Sequence, residues 1–215
     1  MRILTALSLL TLALNPSANA SPNASADHKH NGHSNKSKVF GNVEVHNGEQ
    51  AGDVRSVNGN IRLEANSEVE KASTTNGGIR IDDNVKAQEL STVNGSIRAG
   101  EGLIVDAGVR TVNGDIRLKS GSRIGDSVIT VNGSIQLTGS SVGEDVETLN
   151  GDIELRHSIV KGDVVFREKQ HYGHHSPPTL VIDANSEVRG RIILRQEVEL
   201  QIAEGARVGE IIQDT

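Results

Sequence analysis

Four arginines recur at a regular interval and form the pattern in this sequence with the clearest chemical potential. They are Arg62, Arg80, Arg98 and Arg117. A planar guanidinium group suits carboxylate and phosphate, which it binds through two parallel hydrogen bonds. We therefore hypothesise that this arginine stack contacts an anionic polymer, such as an envelope polysaccharide. The alternative is that acids of the same chain, for example Asp82 or Asp115, neutralise it.

Histidines gather in two groups. The first group lies near the N-terminus and the second in the segment 170–178: His28, His30 and His33, then His171, His174 and His175. Imidazoles at short spacing bind Zn²⁺, Cu²⁺ or Ni²⁺. The sequence contains no cysteine, and no obvious carboxylate completes the second group. His171, His174 and His175 therefore predict at most a weak metal site, and a plain polar loop is the alternative.

A repeated Asn-Gly dipeptide marks the elements that position these side chains. Its asparagines recur with the same nearly constant period as the arginines and are Asn58, Asn76, Asn94, Asn113, Asn132 and Asn150. A short fixed period is typical of a solenoid, in which each coil stacks on the one before. We expect the amides to hydrogen-bond along the stack as a structural ladder close to the interior. Asn and Gly both tolerate positive φ, so the dipeptide is predicted to turn a corner.

Alternating side chains around each dipeptide predict strands. At Asn113, for example, Val112, Ile116 and Leu118 are apolar whereas Arg117 is polar. Period-two alternation indicates a strand with one buried face, so the residue before Asn and those three and five positions after it are predicted to point inward. The hydroxyl residue two positions before Asn is then predicted to point outward. We call this set the hydroxyl stack: Ser56, Thr74, Thr92, Thr111, Thr130 and Thr148.

A coil of about 18 residues is too short to hold a strand, a helix and a return strand. The sequence therefore predicts an all-β fold, a single-stranded right-handed parallel β-helix of about nine coils, with the hand taken from the general preference for right-handed crossovers. Phe40 occupies the Asn position of the first coil and is expected to plug that end. Pro177 takes the Asn position after an insertion near 167–178, and Arg195 is predicted to take it in the last coil.

The segment 1–38 is expected to lie outside the fold. Residues 1–20 combine Arg2, an apolar stretch and the sequence Ala18-Asn19-Ala20, which together predict a cleaved signal peptide. Residues 21–38 are rich in Ser, Asn and His and predict a disordered linker, which leaves 39–215 as the β-helix domain. No second apolar segment could span a membrane, so the mature chain is expected in the periplasm or outside the cell.

Composition excludes several classes of function. The net charge is −6, and the aromatic residues number one Tyr and two Phe, so nucleic-acid binding is not expected. The coils carry neither the long loops nor the acid cluster that a polysaccharide-active β-helix enzyme needs, and no phosphate loop or nucleophile motif is present. The sequence therefore predicts a non-catalytic protein without a cofactor, apart from the weak metal loop.

The phrase Thr-Val-Asn-Gly-Asp-Ile-Arg-Leu at Thr111–Leu118 and its repeats resemble the bacterial putative-adhesin β-solenoid family over roughly residues 39–212. The resemblance implies an exported solenoid with a structural or adhesive role in the cell envelope. A weaker resemblance, to the bactofilins, implies self-assembly into filaments, although bactofilins usually lack a cleaved signal. The arginine stack is the candidate contact surface in the first case, and the partner is the chain itself in the second.

Overall fold

The computed structural model describes residues 29–30, 32–168 and 176–214. Within these ranges the chain forms strands and turns and no helix. All strand pairs there are parallel except one short antiparallel pair, Lys29–His30 with His33–Ser34. The predicted signal peptide and most of the predicted linker lie outside the described residues.

Successive coils each contribute one strand to a nine-stranded parallel sheet, which we call the isoleucine face. Its strands are Val43–Val45, Ile61–Leu63, Ile79–Ile81, Ile97–Ala99, Ile116–Leu118, Ile135–Thr138, Ile153–Arg156, Thr179–Ile182 and Glu199–Ile202. Ile61 pairs with Ile79, Ile79 with Ile97 and so on along the rod. The predicted parallel β-helix is therefore confirmed, the strands of this face match the predicted number of coils, and the hand of the helix stays a prediction.

The remaining strands line the other two sides of the coil. Those of the second side are Gln50–Ala51, Ile104–Val105, Arg123–Ile124, Ser141–Val142, Ile159–Val160, Glu187–Val188 and Arg207–Val208. Those of the third side are Lys36–Phe40, Val54–Asn58, Val109–Asn113, Val128–Ile129, Val146–Thr148, Val164–Phe166, Ile192–Leu194 and Ile211–Gln213. Two longer strands, Glu68–Asn76 and Lys86–Asn94, run through both sides.

The interior is a column of stacked aliphatic side chains. Ile97, Leu90 and Val105, which come from the three sides of the rod, are each at most 1% exposed. The predicted inward positions three and five residues after Asn are buried in the repeats from Asn58 to Asn150. Because like residues stack on like, one dry core filled mainly by aliphatic side chains runs along the rod.

The hydroxyl stack lies inside the rod, so the prediction that it points outward is wrong. Thr74 is 1% exposed and Thr148 is fully buried, whereas Val57 and Val93, predicted to point inward, are half-exposed. The physical reason lies in the neighbouring corner of the preceding coil, where the carbonyl of an Asn-Gly glycine accepts a hydrogen bond from the buried hydroxyl. Thr74 Oγ1 donates to Gly59 O at 2.9 Å, and Thr92 Oγ1 donates to Gly77 O at 2.8 Å.

Positive φ occurs at a different corner from the predicted one. The glycines of the Asn-Gly dipeptides have ordinary φ values, whereas the turn after the isoleucine face has positive φ at Asn66, Asn84, Gly102 and their equivalents. Glycine is required after Asn for a different reason. A Cβ on Gly95 would collide with the carbonyl oxygen of Gly77 in the preceding coil.

Lysines cap the N-terminal end of the rod. The prediction of a disordered linker over 21–38 is wrong for residues 36–38, which belong to a strand. Lys36 and Lys38 belong to a strand that pairs with Val54–Asn58 and therefore lie in the first coil. Lys36 Nζ donates to the carbonyl oxygen of Glu44 at 2.9 Å, and Lys38 Nζ donates to that of Asn42 at 2.8 Å. Phe40 does align with Asn58, but it is 58% exposed and does not plug the end.

The C-terminal coils are partly as predicted. Leu180 pairs with Ile153, which places Pro177 at the Asn position as expected. The next coil is shifted by two positions, since Leu200 pairs with Leu180, and Glu197 rather than Arg195 takes the Asn position. The described part of the chain adds no further coil over this end, and Leu200 and Ile211 are 38% and 43% exposed.

Candidate functional site

The arginine stack lies along the middle of the isoleucine face. Each arginine sits between two buried residues of its strand, so its side chain projects outward. Arg62 pairs with Arg80, Arg80 with Arg98, and Arg98 with Arg117 in the parallel register. Adjacent strands lie about 4.8 Å apart, so the stack presents one cation per strand along the rod.

Asp82 neutralises the N-terminal part of the stack. Its carboxylate lies 3.1 Å from Arg62 Nη2 and 3.8 Å from Arg80 Nε, so it serves two coils. The hydrogen bond and charge of Asp82 raise the pKa of the Arg62 guanidinium above its already high value. Both arginines keep about half or more of their side-chain surface exposed, so these pairs are weak and open to competition by an external anion.

Arg117 is held more firmly than the other members. Its Nη2 lies 2.9 Å from Asp115 Oδ2, and its Nε donates to Gln136 Oε1 at 2.9 Å. The residue is half-buried. The predicted neutralisation by acids of the same chain therefore holds for Arg117, through Asp115, as it does for Arg62 through Asp82.

Arg98 is exposed and makes no ion pair or side-chain hydrogen bond within the described part of the chain. The reason lies in the next outward position of each coil. This position, two residues after each arginine, holds Glu64 and Asp82 in the two preceding coils, but Gly100 in the coil of Arg98 and Lys119 in the following one. Arg98 therefore has no carboxylate at this position in its own coil or in the next, and Lys119 adds a second cation nearby.

A shallow open groove of about 880 Å³ follows this part of the isoleucine face. Four cationic side chains line it, against three carboxylates: Arg62, Arg80, Arg98 and Lys119, with Glu44, Asp82 and Asp83. The sequence pattern missed Lys119, although it comes directly after the strand Ile116–Leu118 that carries Arg117 and so extends the same surface. The groove has the open shape that suits an extended chain rather than an enclosed small molecule.

The asparagine ladder is confirmed as a hydrogen-bonded column. Asn76 Nδ2 donates to Asn58 Oδ1 at 2.9 Å, and the same bond repeats through Asn94, Asn113, Asn132 and Asn150. Five of the six side chains are exposed, so the ladder lies on the surface and not near the interior as expected. It ends at Asn150, whose Oδ1 is buried and has no hydrogen-bond partner within the described ranges, because Pro177 follows in the stack and has no side-chain donor.

The histidine hypothesis falls partly outside the described residues. His171, His174 and His175 all lie in the segment 169–175, so the predicted loop site stays a prediction. Within the described ranges one set of three metal-ligand side chains comes together, namely Glu44, His46 and Glu64. Sequence reasoning missed this set, because its members belong to two coils and share no short motif.

One corner brings a serine, an aspartate and a histidine together in an order unsuited to nucleophilic catalysis. Ser186 Oγ donates to Asp183 Oδ1 at 2.6 Å, and Asp183 Oδ2 lies 3.0 Å from His157 Nδ1. The serine is buried and bonds to the acid rather than to the imidazole, so the histidine is not placed to activate it. These contacts stabilise the turn at His157, where φ is positive.

The fold defines the chain as a β-solenoid. Comparison with known protein families, with curated proteins and with solved structures finds no match. Among the described residues, no helix is long and apolar enough to cross a membrane.

Proposed function

We propose that this chain is an exported, non-catalytic β-solenoid with a structural or adhesive role in the bacterial cell envelope, and that it binds an anionic polysaccharide along the isoleucine face. The observation that carries the proposal is Arg98, an exposed guanidinium without an internal partner among the described residues, at the centre of an open groove. Arg62, Arg80 and Lys119 extend the cationic surface on both sides of it. The predicted signal peptide and the resemblance to bacterial adhesins support export.

The spacing of the cations favours a polymer over a small anion. In-register like charges repel, so the arrangement costs stability unless an anion is bound. A polymer that lies along the rod would meet a guanidinium group at each of four successive strands, from Arg62 to Arg117. Its carboxylates would compete with Asp82 for Arg62 and Arg80, because those ion pairs are weak. Because the contacts are exposed, the affinity is expected to fall steeply with salt.

Binding to polygalacturonate, a polymer with one carboxylate per sugar, tests the proposal. Isothermal titration calorimetry at low salt should detect binding to the wild type. A triple variant, R62S/R80S/R98S, should lose about tenfold or more in affinity, since a charge-assisted contact contributes roughly a factor of ten when it is fully formed.

The chain offers a control triple matched in charge and pairing. Within the described residues, R55S/R123S/R189S also removes two paired arginines and one unpaired arginine, but from the other sides of the coil. We expect it to bind polygalacturonate nearly as well as the wild type. Equal losses in the two triples would show attraction by net charge alone and would reject the isoleucine face as the contact.

A second candidate function, self-association, is favoured by the difference between the two ends of the rod. Lys36 and Lys38 donate to backbone carbonyls at the N-terminal end. At the other end Leu200 and Ile211 stay partly exposed, and their strands pair on one edge only among the described residues. An open sheet edge of this kind pairs readily with another chain. A dimer through two C-terminal ends is therefore favoured over an open filament.

Sedimentation velocity separates these states. A dimer that dissociates in I211K supports association through the C-terminal end. Growth of long particles in the same samples would favour the filament, and a monomer throughout the accessible concentration range would reject self-association.

A further inference from the structure

The first two coils bring together three side chains that the repeat pattern does not explain. Glu44, His46 and Glu64 each offer one ligand atom, and these atoms lie within 4.8 Å of one another. His46 Nδ1 lies 3.8 Å from Glu64 Oε2, which is too far for a hydrogen bond. Two ligands bound at about 2.0–2.2 Å to one tetrahedral cation lie about 3.4 Å apart, so small rotations of these side chains would bring their atoms around a shared cation.

The backbone holds these side chains in place before any ligand arrives. Glu44 and His46 are two positions apart along one extended segment, so their side chains leave the same side of the sheet. Glu64 stands level with His46 in the next coil, where its amide donates to the carbonyl oxygen of Val45 at 2.9 Å. A cation would therefore meet a donor set fixed by the parallel sheet and not by a loop.

The ligand atoms are also available. The carboxylate of Glu44 forms no hydrogen bond or ion pair within the described residues. Glu64 Oε2 accepts the amide of Asn47 at 3.1 Å, which orients the carboxylate without covering it. The nearby cation Arg62 is drawn to Asp82 in the following coil at 3.1 Å. The imidazole of His46 is 69% exposed, which leaves room for water as a further ligand.

We propose that Glu44, His46 and Glu64 form a binding site for a Zn²⁺-class cation that joins the first coil to the second. One imidazole with two carboxylates suits Zn²⁺, Cu²⁺ or Ni²⁺, whereas Ca²⁺ and Mg²⁺ prefer oxygen ligands alone. This site shares Glu44 with the edge of the groove proposed to bind polysaccharide, but it uses neither the arginines of that groove nor the histidines of the loop.

Linking two coils has a measurable consequence. A cation that binds only the closed arrangement stabilises it in proportion to the logarithm of its free concentration relative to Kd. Exchange of the Glu64 amide, which requires the first coil to separate from the second, should slow roughly a hundredfold when free Zn²⁺ is about a hundred times Kd. A loop site elsewhere would not protect this amide.

The test uses the full chain without a polyhistidine tag and ZnCl₂ as the probe. Calorimetry gives the number of zinc ions bound, and hydrogen exchange reports the amides of the first two coils. Wild type, H46Q and E64Q are compared, together with a loop variant that carries H171A, H174A and H175A. Circular dichroism without metal checks that the coils remain intact.

His157 supplies a matched control. Its imidazole is also exposed and lies 3.0 Å from the carboxylate of Asp183. Among the described residues, however, no third metal ligand joins this pair, in contrast to the set of Glu44, His46 and Glu64. Asn tolerates the positive φ of this position, so H157N should keep the turn.

We expect H46Q and E64Q each to lose one bound zinc and the added protection of the Glu64 amide, while H157N and the loop variant keep both. The proposal is overturned if H46Q binds as many zinc ions as the wild type with unchanged exchange. It is equally overturned if the loop variant binds no zinc at all.

Discussion

The buried hydroxyl of Thr74 donates a hydrogen bond of 2.9 Å to the carbonyl oxygen of Gly59 in the preceding coil. The neighbouring hydroxyl of Thr75 is also buried but has no hydrogen-bond partner among the residues that the structure describes. The other repeats carry Val or Leu at the position of Thr75, and all have Ser or Thr at that of Thr74. Two adjacent threonines of one strand therefore have opposite effects, because one satisfies the corner and the other leaves a buried hydroxyl unpaired.

Replacing Thr74 with Val should destabilise the protein. The change keeps the shape of the side chain but leaves the carbonyl of Gly59 buried without a donor, which costs about 1–3 kcal/mol. Urea unfolding followed by circular dichroism measures the free energy of unfolding.

Thr75→Val is the control for that measurement, and it should be neutral or slightly stabilising. It replaces a hydroxyl that has lost its hydrogen bonds to water by the methyl group found in neighbouring coils. Equal effects of the two substitutions would contradict the assigned roles and would place both side chains in the same environment.

The error over the hydroxyl stack shows what the sequence could not supply. Alternation correctly identified Ile97 and Ala99 as inward, because their strand is flanked by polar outward residues. Before the corner, Thr92 and Val93 are both β-branched, and hydrophobicity favoured Val as the inward residue. The deciding factor is the inward carbonyl of Gly77, which becomes visible only when two coils are stacked.

The shift in the last coil has a different physical origin. Val198, Leu200 and Ile202 alternate with polar residues, and a pattern of period two is unchanged when it slides by two positions. The sequence therefore identified the strand but could not fix its register. The fold as a whole was predictable because the period of the repeat constrains every coil at once, whereas the ends and the insertion break that period.

The candidate site was predictable in position and not in charge balance. The period alone places Arg62, Arg80 and Arg98 in one column. Whether each is neutralised depends on the direction of single side chains, such as the reach of Asp82 to two coils and the gap that Gly100 leaves. Such contacts vary from coil to coil and leave no periodic signal.

Gly95→Ala should be severely destabilising. A Cβ at this position would overlap the carbonyl oxygen and carbon of Gly77, both backbone atoms that cannot move without separating the coils. The cost is expected to reach about 3 kcal/mol or more, at the upper end for overpacking. Thermal unfolding followed by circular dichroism is the measurement.

Gly48→Ala serves as the comparison, because that glycine has φ of 69° and no atom within 4 Å of its added Cβ. Only the left-handed backbone penalises Ala there, by about 1–2 kcal/mol. A smaller loss for Gly95→Ala than for Gly48→Ala would argue against close stacking of the Asn-Gly corners.

Arg98→Gln should stabilise the free protein slightly at low salt. The substitution removes repulsion from the stacked neighbour Arg80 and sacrifices no ion pair within the described residues. The gain should vanish in about 1 M salt, where charges are screened within about 3 Å.

Arg117→Gln should instead lose stability, because it breaks the contact with Asp115. Chemical unfolding at two salt concentrations distinguishes them, and a loss for both variants would mean that Arg98 has an internal partner.

Glu144→Gln should raise stability at neutral pH. The hydrogen bond and negative charge of Asp126 in the preceding coil raise the pKa of the Glu144 carboxyl above 4.5, its usual value. The folded state therefore holds this proton more tightly than the unfolded state, so the interaction stabilises at low pH and is lost as the pH rises through the folded pKa. Gln can donate to Asp126 at every pH, and a gain of about 0.5 kcal/mol is expected at pH 7 for such an exposed pair.

The gain in stability from Glu144→Gln should depend on pH. The effect of Asp163→Asn should depend on pH in the opposite direction, because the pKa of Asp163 is shifted the other way. Burial alone would raise the pKa of Asp163, but the hydrogen bonds and charge of Arg191 lower it below 3.8. Its contribution is therefore present at neutral pH and lost as the pH falls through the folded pKa. Urea unfolding is followed from pH 7 to about pH 2.5. The gain from Glu144→Gln should shrink as the pH falls toward 4.5, whereas the loss from Asp163→Asn should be full at pH 7 and shrink only below about pH 3.8. A gain from Glu144→Gln that grows toward acid would contradict a shared proton between Asp126 and Glu144.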